Sequence, residues 1–367
     1  MPSVLRPAPR CPRHCWCRPE GSGSGSTSRS ARPSAVCWRI PRSAPPLAAG
    51  ARGCIPTGEA EGLGKCSSGL TGLIVHDIAA RYFAAIARGV QEAAREQHKM
   101  VLLATTEGAP ESEKEAVGAF AARRADSIVI AGSRTSRVED RDGNAELAAE
   151  LDRYCRNGGH VGVIGHGIVG ATAADGYHVG SVPNEELAAQ LATELAASRE
   201  DFVIIGGPEG LFTSDDRIRG FQRGLAVAGL PAADVIRTDF NRAGGFEAGL
   251  AMAARITAPR TGGNAPRLCI FAVNDVMAIG TAAALRSQGL RIPLDAAVAG
   301  FDDIETLRDF RPALSTVHLP LEEIGRQAAS SAAGMGDRGA GSSPITGQVT
   351  LRRSTEVAQP SSAESVA

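Results

Sequence analysis

Two pairs of oxygen-bearing side chains, Asn274-Asp275 and Asp302-Asp303, each close a short apolar run, Leu268–Ala272 for the first pair and Ala296–Ala299 for the second. Between them lies a helix-period segment with Val276, Ile279, Ala283 and Leu285 on its apolar side, stopped by Gly289 and followed by a loop that opens at Pro293. Strand, polar tip, helix, glycine stop, strand and polar tip is the order of a βαβ crossover in a parallel sheet. Such sheets bind ligands off the carboxyl ends of their strands. Four polar side chains are therefore expected to face one cleft, where amides and carboxylates donate and accept hydrogen bonds. The same logic selects Asp77, at the end of Leu73-Ile74-Val75, with Tyr82 and Phe83 opening the next helix.

The surrounding elements alternate in the same way. Phe83, Ile86, Ala87, Val90 and Ala94 mark one face of a helix reaching about Gln97. Strands are expected at Met100–Ala104, Ser127–Ala131 and Val161–Ile164, with helices at Glu113–Arg124 and Leu147–Arg156. The stretch Gly167–Val182 has no clear period and is read as a loop crossing to a second lobe. There Asn184–Ala197, Asp215–Ala228 and Ala243–Arg255 read as helices, interleaved with strands at Phe202–Ile205, Val235-Ile236 and Leu268–Ala272. Beyond Phe301 the chain returns to the first lobe, with Leu321–Ala333 as its last helix and Gly347–Leu351 as a final strand. The expected fold is α/β, two doubly wound parallel-sheet lobes. Lobe 1 takes about 71–166 and 319–345, lobe 2 about 167–318 and 346–355, and 356–367 is a disordered tail.

At 43% hydrophobic and 22% charged residues the composition is that of a soluble globular chain, and with only 4% aromatics its cores must be aliphatic. The net charge of −1 hides an asymmetry: residues 1–70 hold ten Lys/Arg against three Asp/Glu, a net +7 that leaves −8 on the remainder. A basic end on an acidic body suits contact with nucleic acid. Six of the eight cysteines lie in the first 66 residues, while Cys155 and Cys269 read as buried apolar side chains, so no disulfide framework is expected. No apolar run approaches the roughly 18 residues of a membrane helix, and residues 1–20 show no apolar export signal. The expected location is cytoplasmic. Cys11, Cys15, Cys17 and His14 are zinc-ligand types without a second paired knuckle. Neither a metal nor a cofactor is expected.

The strings NDVMAIG, LRSQGLRIPLDAAVAGFDD and RPALSTVHLP, in that order, resemble the effector-binding core of the LacI/GalR family of bacterial transcription regulators. The resemblance covers about Thr71 to Thr355 and implies the periplasmic-binding-protein type I fold, with a ligand cleft between its lobes. Within Thr213–Phe221 it matches the family's R-x-x-G-F segment, which implies that Arg217 reaches the effector. It also implies an aromatic ring against the ligand at Phe240, and hydrogen bonds to ligand hydroxyls from Asn274 and Asp302, leaving Asp275 and Asp303 as structural neighbours. The candidate ligand set is Asp77, Tyr82, Arg217, Phe240, Asn274 and Asp302. Amide, carboxylate, guanidinium fork and aromatic face together suit a sugar or similar polyol. Arg217 equally suits a ligand carboxylate or phosphate.

Several of these residues have plain structural roles open to them. Ser214, Asp215 and Asn274 stand where helix caps are common. Asp303 is placed to pair with Arg308 or to face solvent, and His76, His166 and His178 are isolated by spacing. Two departures from the family pattern stand out. Pro183 precedes Asn184 where relatives usually have Asp, which bears on a crossing loop more than on the pocket. Ala80-Arg81 replaces the usual Asn-Pro beside Tyr82-Phe83.

No G-x-S-x-G elbow, P-loop, metal pair or dinucleotide fingerprint is present, so an enzyme is not expected. A sugar-binding component of a transport system would share the cleft but needs an export signal. The resemblance favours a ligand-responsive regulator that acts as a homodimer on operator DNA, with a DNA-binding-defective remnant as the alternative. Residues 1–70 lack period and are crowded with Pro, Gly, Ser and Arg, where the family has a helix-turn-helix. They read as a disordered or frame-shifted segment. Val36-Cys37-Trp38-Arg39-Ile40, encoded GTN TGY TGG CGN ATH, gives Leu/Met/Val, Leu, Ala and Asp/Asn/His/Tyr when read two bases later, similar to the end of the family's recognition helix. The true frame would resume near Gly69–Gly72. Accordingly, this polypeptide is expected to bind its effector yet give no operator-specific footprint at physiological salt. A nanomolar footprint would overturn that reading.

Overall fold

The computed structural model describes residues 67–172, 175–258, 268–334 and 344–357, all within one unit of the chain, 49–367. The expectations placed on residues 1–66, the zinc-type cluster and the altered frame among them, lie outside the described residues, as does the tail from 358.

Lobe 1 opens with β1 (Leu70–Val75), α1 (Arg81–Glu96), β2 (Met100–Thr105), α2 (Pro110–Ala122), β3 (Ser127–Ala131), α3 (Arg141–Arg156), β4 (His160–Ile164) and β5 (Tyr177–Gly180). Its sheet is parallel throughout, in the order β2-β1-β3-β4-β5. Lobe 2 follows with α4 (Asn184–Ala196), β6 (Asp201–Gly206), α5 (Phe212–Val227), β7 (Asp234–Arg237), α6 (Arg242–Thr257), β8 (Leu268–Ala272), α7 (Asp275–Ser287) and β9 (Ala297–Ala299). Its parallel sheet runs β7-β6-β8-β9. The runs SIVIA and LCIFA, apolar but for Ser127, become β3 and β8, buried at every residue because helices cover both faces.

The stretch Gly167–Val182, expected to be an aperiodic crossing loop with lobe 1 ending near 166, contains β5, which pairs with β4 and extends the first sheet. Its sequence, Tyr-His-Val-Gly, is short and half-exposed at a sheet edge, so the apolar pattern that marks interior strands is missing. The first crossing therefore comes at Ser181–Pro183. The second runs through β10 (Thr316–His318) into α8 (Leu321–Ala332), and the third through β11 (Gln348–Thr350). β10 and β11 pair antiparallel as a two-stranded ribbon. The final strand belongs to this ribbon rather than to the lobe 2 sheet, although Ser354 beyond it accepts the Val298 N–H at 3.1 Å.

Three helix pairs, α1 with α8, α4 with α5 and α6 with α7, approach through glycines. A Cβ on Gly89 would lie 1.8 Å from the Glu322 carbonyl oxygen, one on Gly220 2.1 Å from that of Glu185, and one on Gly245 2.3 Å from that of Met277. No side chain fits there without parting the helices. Gly245→Val should consequently lower stability by about 3 kcal/mol, read as a fall in the urea midpoint with the slope unchanged.

Candidate functional site

In each lobe the strand order reverses at one point, between β1 and β3 in lobe 1 and between β6 and β8 in lobe 2. Crevices at such switch points are where doubly wound sheets hold ligands. Tyr82 opens α1 just beyond β1, and Val273-Asn274 follow β8. The lobes also touch directly. Phe212 N–H donates to the Arg134 carbonyl and Ser136 N–H to that of Gly210, both at 3.0 Å, and Thr135 and Leu211 form an antiparallel bridge. Beside this bridge His166 Nε2 and Asp216 Oδ2 lie 2.7 Å apart, with the His166 ring edge-on to Phe212.

The centre of the site is Arg217, 2% exposed on α5. Its Nε donates to Asn184 Oδ1 at 2.9 Å, Nη1 to the Val273 carbonyl at 2.7 Å and Nη2 to Asp302 Oδ1 at 2.8 Å. The guanidinium lies over the Phe301 ring, 3.9 Å from its centroid. These bonds use three of the five guanidinium N–H groups, and the other two have no partner among the described residues. Asp302 Oδ2, the Asn274 Nδ2 amide and the Tyr82 hydroxyl are likewise uncommitted there. Asn274 Oδ1 caps α7 by accepting the Met277 N–H at 2.8 Å, which leaves its Nδ2 amide wholly free for a ligand.

Asp302 and Asp303 hold positive φ angles of 113° and 55°, a costly backbone for non-glycine residues. Bonds on both sides keep them there. Asp302 N–H donates to the Val317 carbonyl at 2.9 Å and its own carbonyl accepts from Leu319 at 3.3 Å. Asp303 takes both Nη groups of Arg352, at 2.7 and 3.0 Å, and lies 3.2 Å from His318 Nδ1. It is partly exposed and pairs with Arg352 rather than with Arg308, correcting the expectation. Burial pushes the Asp302 carboxyl up to about 6 against the opposing pull of Arg217. Burial also raises Asp275 well above the ordinary carboxylate range, and the nearby Asp302 charge reinforces this. The Tyr82 phenol is raised by burial first and by Asp302 second, with Arg217 opposing, which places it within electrostatic reach of both from the other lobe.

A family profile described as periplasmic binding protein-like domain matches residues 194–355. The HTH-type transcriptional repressor PurR of Vibrio parahaemolyticus is 29% identical over 274 residues, 72% of this chain and 74% of that protein. The ribose operon repressor of Halalkalibacterium halodurans is 28% identical over 273 residues, 74% of this chain and 73% of the relative. Among solved structures, a putative LacI-family regulator from Sanguibacter keddieii aligns with a TM-score of 0.61 at 25% identity, covering 78% of this chain and 98% of that one. A LacI-family regulator from Enterococcus faecium with bound ribose aligns at 0.63, with 20% identity and coverage of 78% and 98%, a likeness of fold. The described core is similar to the effector-binding core of LacI/GalR-family regulators. Its relatives are transcriptional regulators rather than enzymes. No helix among its described residues is long and apolar enough to cross a membrane.

Of the expected ligand set, Arg217 and Asp302 are bonded directly, Asn274 follows the Val273 whose carbonyl Arg217 also holds, and Tyr82 lies within electrostatic reach of Arg217 and Asp302. Phe240, half-buried and three residues beyond β7, packs on the turn that follows β6, where a Cβ on Gly207 would meet its ring at 2.8 Å. Asp77 is not brought in: it is exposed, and its Oδ1 accepts the Ala79 N–H at 2.8 Å in a turn. Asp275, fully buried, receives the Thr316 hydroxyl at 2.7 Å and the Ile304 N–H at 2.9 Å, a purely structural part. α5 starts at Phe212, so Ser214 and Asp215 do not cap it. They brace the preceding turn, accepting the Gly207 and Gly210 N–H groups at 2.9 Å. Two residues escaped the sequence reading, Asn184, seen there only as a helix start, and His166, taken as isolated. Their partners lie 33 and 50 residues away, and only the neighbouring family-type positions hinted at them.

The raised Asp302 value has a measurable sign. The ordinary carboxyl titrates near 4, so a group raised to about 6 stabilises the fold fully below about pH 4 and loses that contribution as pH rises through 6. In urea unfolding, wild type should lose stability relative to Asp302→Asn between pH 4 and pH 7. Wild type gaining stability relative to Asp302→Asn over that window would contradict the assignment.

Proposed function

We propose that this chain is the sensing part of a one-component regulator and that its effector is a neutral polyol of the sugar class, held between the lobes by Tyr82, Arg217, Phe240, Asn274 and Asp302. One observation carries the choice of a neutral ligand. The site offers unused donors and acceptors but no unused charge: Arg217 is neutralised by Asp302 at 2.8 Å, and Arg134, at the end of β3, by Glu113 through both Nη groups. A phosphate or carboxylate entering here would have to displace a buried carboxylate from its guanidinium, stranding a charge. Sugar hydroxyls need only the free N–H groups, Asp302 Oδ2, the Asn274 amide and the Tyr82 hydroxyl, and the half-buried Phe240 ring offers a surface for a C–H face. The ribose operon repressor and the ribose-bound structure among the similar proteins support this class.

The reading extends to the assembly. Closure of the lobes around ligand would change how paired first lobes present DNA-binding heads, so this sensing core belongs to a homodimeric, non-catalytic type of operator regulator, while the polypeptide with its altered residues 1–70 is itself expected to give no operator footprint. Thermal shift and calorimetry against D-ribose, D-galactose, their phosphates, glucuronate and adenine test the ligand class. Neutral sugars should raise the unfolding temperature, and Arg217→Ala should abolish the shift. Phosphorylated forms should bind at least about tenfold more weakly, as an uncompensated buried charge requires. If only the anions or only adenine bind, the neutral-sugar reading fails.

A further inference from the structure

We propose that Asn184 is a positioning residue that ties the effector-facing guanidinium of Arg217 to the hinge between the lobes. Asn184 is 3% exposed and is the first residue of α4, immediately after the first crossing. Its own N–H donates back to the Val182 carbonyl at 2.8 Å, which turns the chain tightly over Pro183. Its Oδ1 accepts from Arg217 Nε at 2.9 Å. A guanidinium is a planar fork, so fixing Nε in plane while the face rests on Phe301 sets the direction of every other N–H. The two Nη groups are thereby aimed at Val273 and Asp302, and the uncommitted N–H groups toward the cleft.

The second crossing is joined to the same group. Asp302, which takes Arg217 Nη2, is bonded through its backbone to Val317 and Leu319, the residues flanking His318 where the chain leaves β10 for α8. Arg217 is thus bonded at once to the residue that ends the first crossing and to the residue that braces the second. Rotation of one lobe on the other turns Val182–Asn184 and Val317–Leu319 relative to the body of lobe 2. It cannot do so freely while both ends are held by one rigid fork. By reciprocity, a ligand that takes the free N–H groups of that fork biases the hinge. The ligand arm of this inference rests on the effector reading above; the hinge arm does not.

Hydrogen exchange read by mass spectrometry on the full chain separates the two. In ligand-free protein, Asn184→Leu, of similar size but without an acceptor, should speed exchange in peptides spanning 180–186 and 315–321 by about tenfold, the worth of one charge-assisted hydrogen bond. Peptides over β3 and β8 should be unchanged. Asn184→Asp, which keeps the acceptor, should restore wild-type exchange at both crossings to within about twofold. Should Asn184→Leu not fold, Arg217→Lys keeps the charge beside Asp302 but lacks Nε, and the same pattern is expected of it. Unchanged exchange at 315–321, acceleration spread equally into β3 and β8, or no rescue by Asp would each overturn the proposal. Millimolar D-ribose is the ligand probe. It should slow both crossings in wild type, and in Asn184→Leu only the peptide over 272–277. If ribose alters no peptide, the sugar reading is lost while the ligand-free comparison still decides the role of Asn184.

Discussion

A buried guanidinium needs a compensating carboxylate and well-placed acceptors or it weakens the fold around it by several kcal/mol, and Arg217 is such a group. Its requirement for a carboxylate fixes Asp302, its requirement for carbonyl and amide acceptors fixes the ends of β8 and the start of α4, and its face fixes Phe301. Those partners come from three separate segments of lobe 2, at Asn184, at Val273 and at Phe301-Asp302. The lobe is therefore closed at its ligand edge by one side chain. The positive φ angles at Asp302 and Asp303 belong to the same constraint: the backbone there is bent to deliver a carboxylate to Arg217 on one side and another to Arg352 on the other.

This arrangement also explains how a single site can serve both recognition and movement. The groups left over after Arg217 has been neutralised are the ones that read a ligand, and the groups that neutralise it are joined to the crossings between lobes. Recognition and hinge share atoms rather than communicating over a distance. The contact between the two lobes near Arg134 and Phe212, with His166 against Asp216, lies on the same helix that carries Arg217, so α5 is gripped from both sides.

The interior of both sheets was legible in the sequence because β3 and β8 are almost wholly apolar runs, as doubly covered strands require. The polar tips at Asn274 and Asp302 were legible for the same reason, since a run of that kind must end where the cleft begins. β5 was not, because an edge strand of four residues reading Tyr-His-Val-Gly carries neither alternation nor a continuous apolar face. α5 started three residues before its expected beginning because Ser214 and Asp215, good capping residues by type, are used to hold the turn at Gly207–Gly210. Asp77 looked like a cleft residue by position, yet local geometry draws its carboxylate to Ala79. The parts of the site that no local pattern reveals are the long-range pairs, Arg217 with Asn184 and Asp303 with Arg352, whose partners are set by the fold as a whole.

The glycine-to-carbonyl packing of α8 on α1 has a consequence for how the chain is made. The buried face of α1, with Ile86, Val90 and Ala93, is completed by a helix that begins at Leu321, more than two hundred residues later. In lobe 2 the tight pairs are α4 with α5 and α6 with α7, neighbours in the chain. On a ribosome, lobe 2 has its own helix partners to hand as they emerge, whereas lobe 1, though synthesised first, keeps an apolar stripe open until nearly the whole protein has been translated. The order of synthesis and the order of completion are reversed, and the first lobe is the one that depends on protection while it waits.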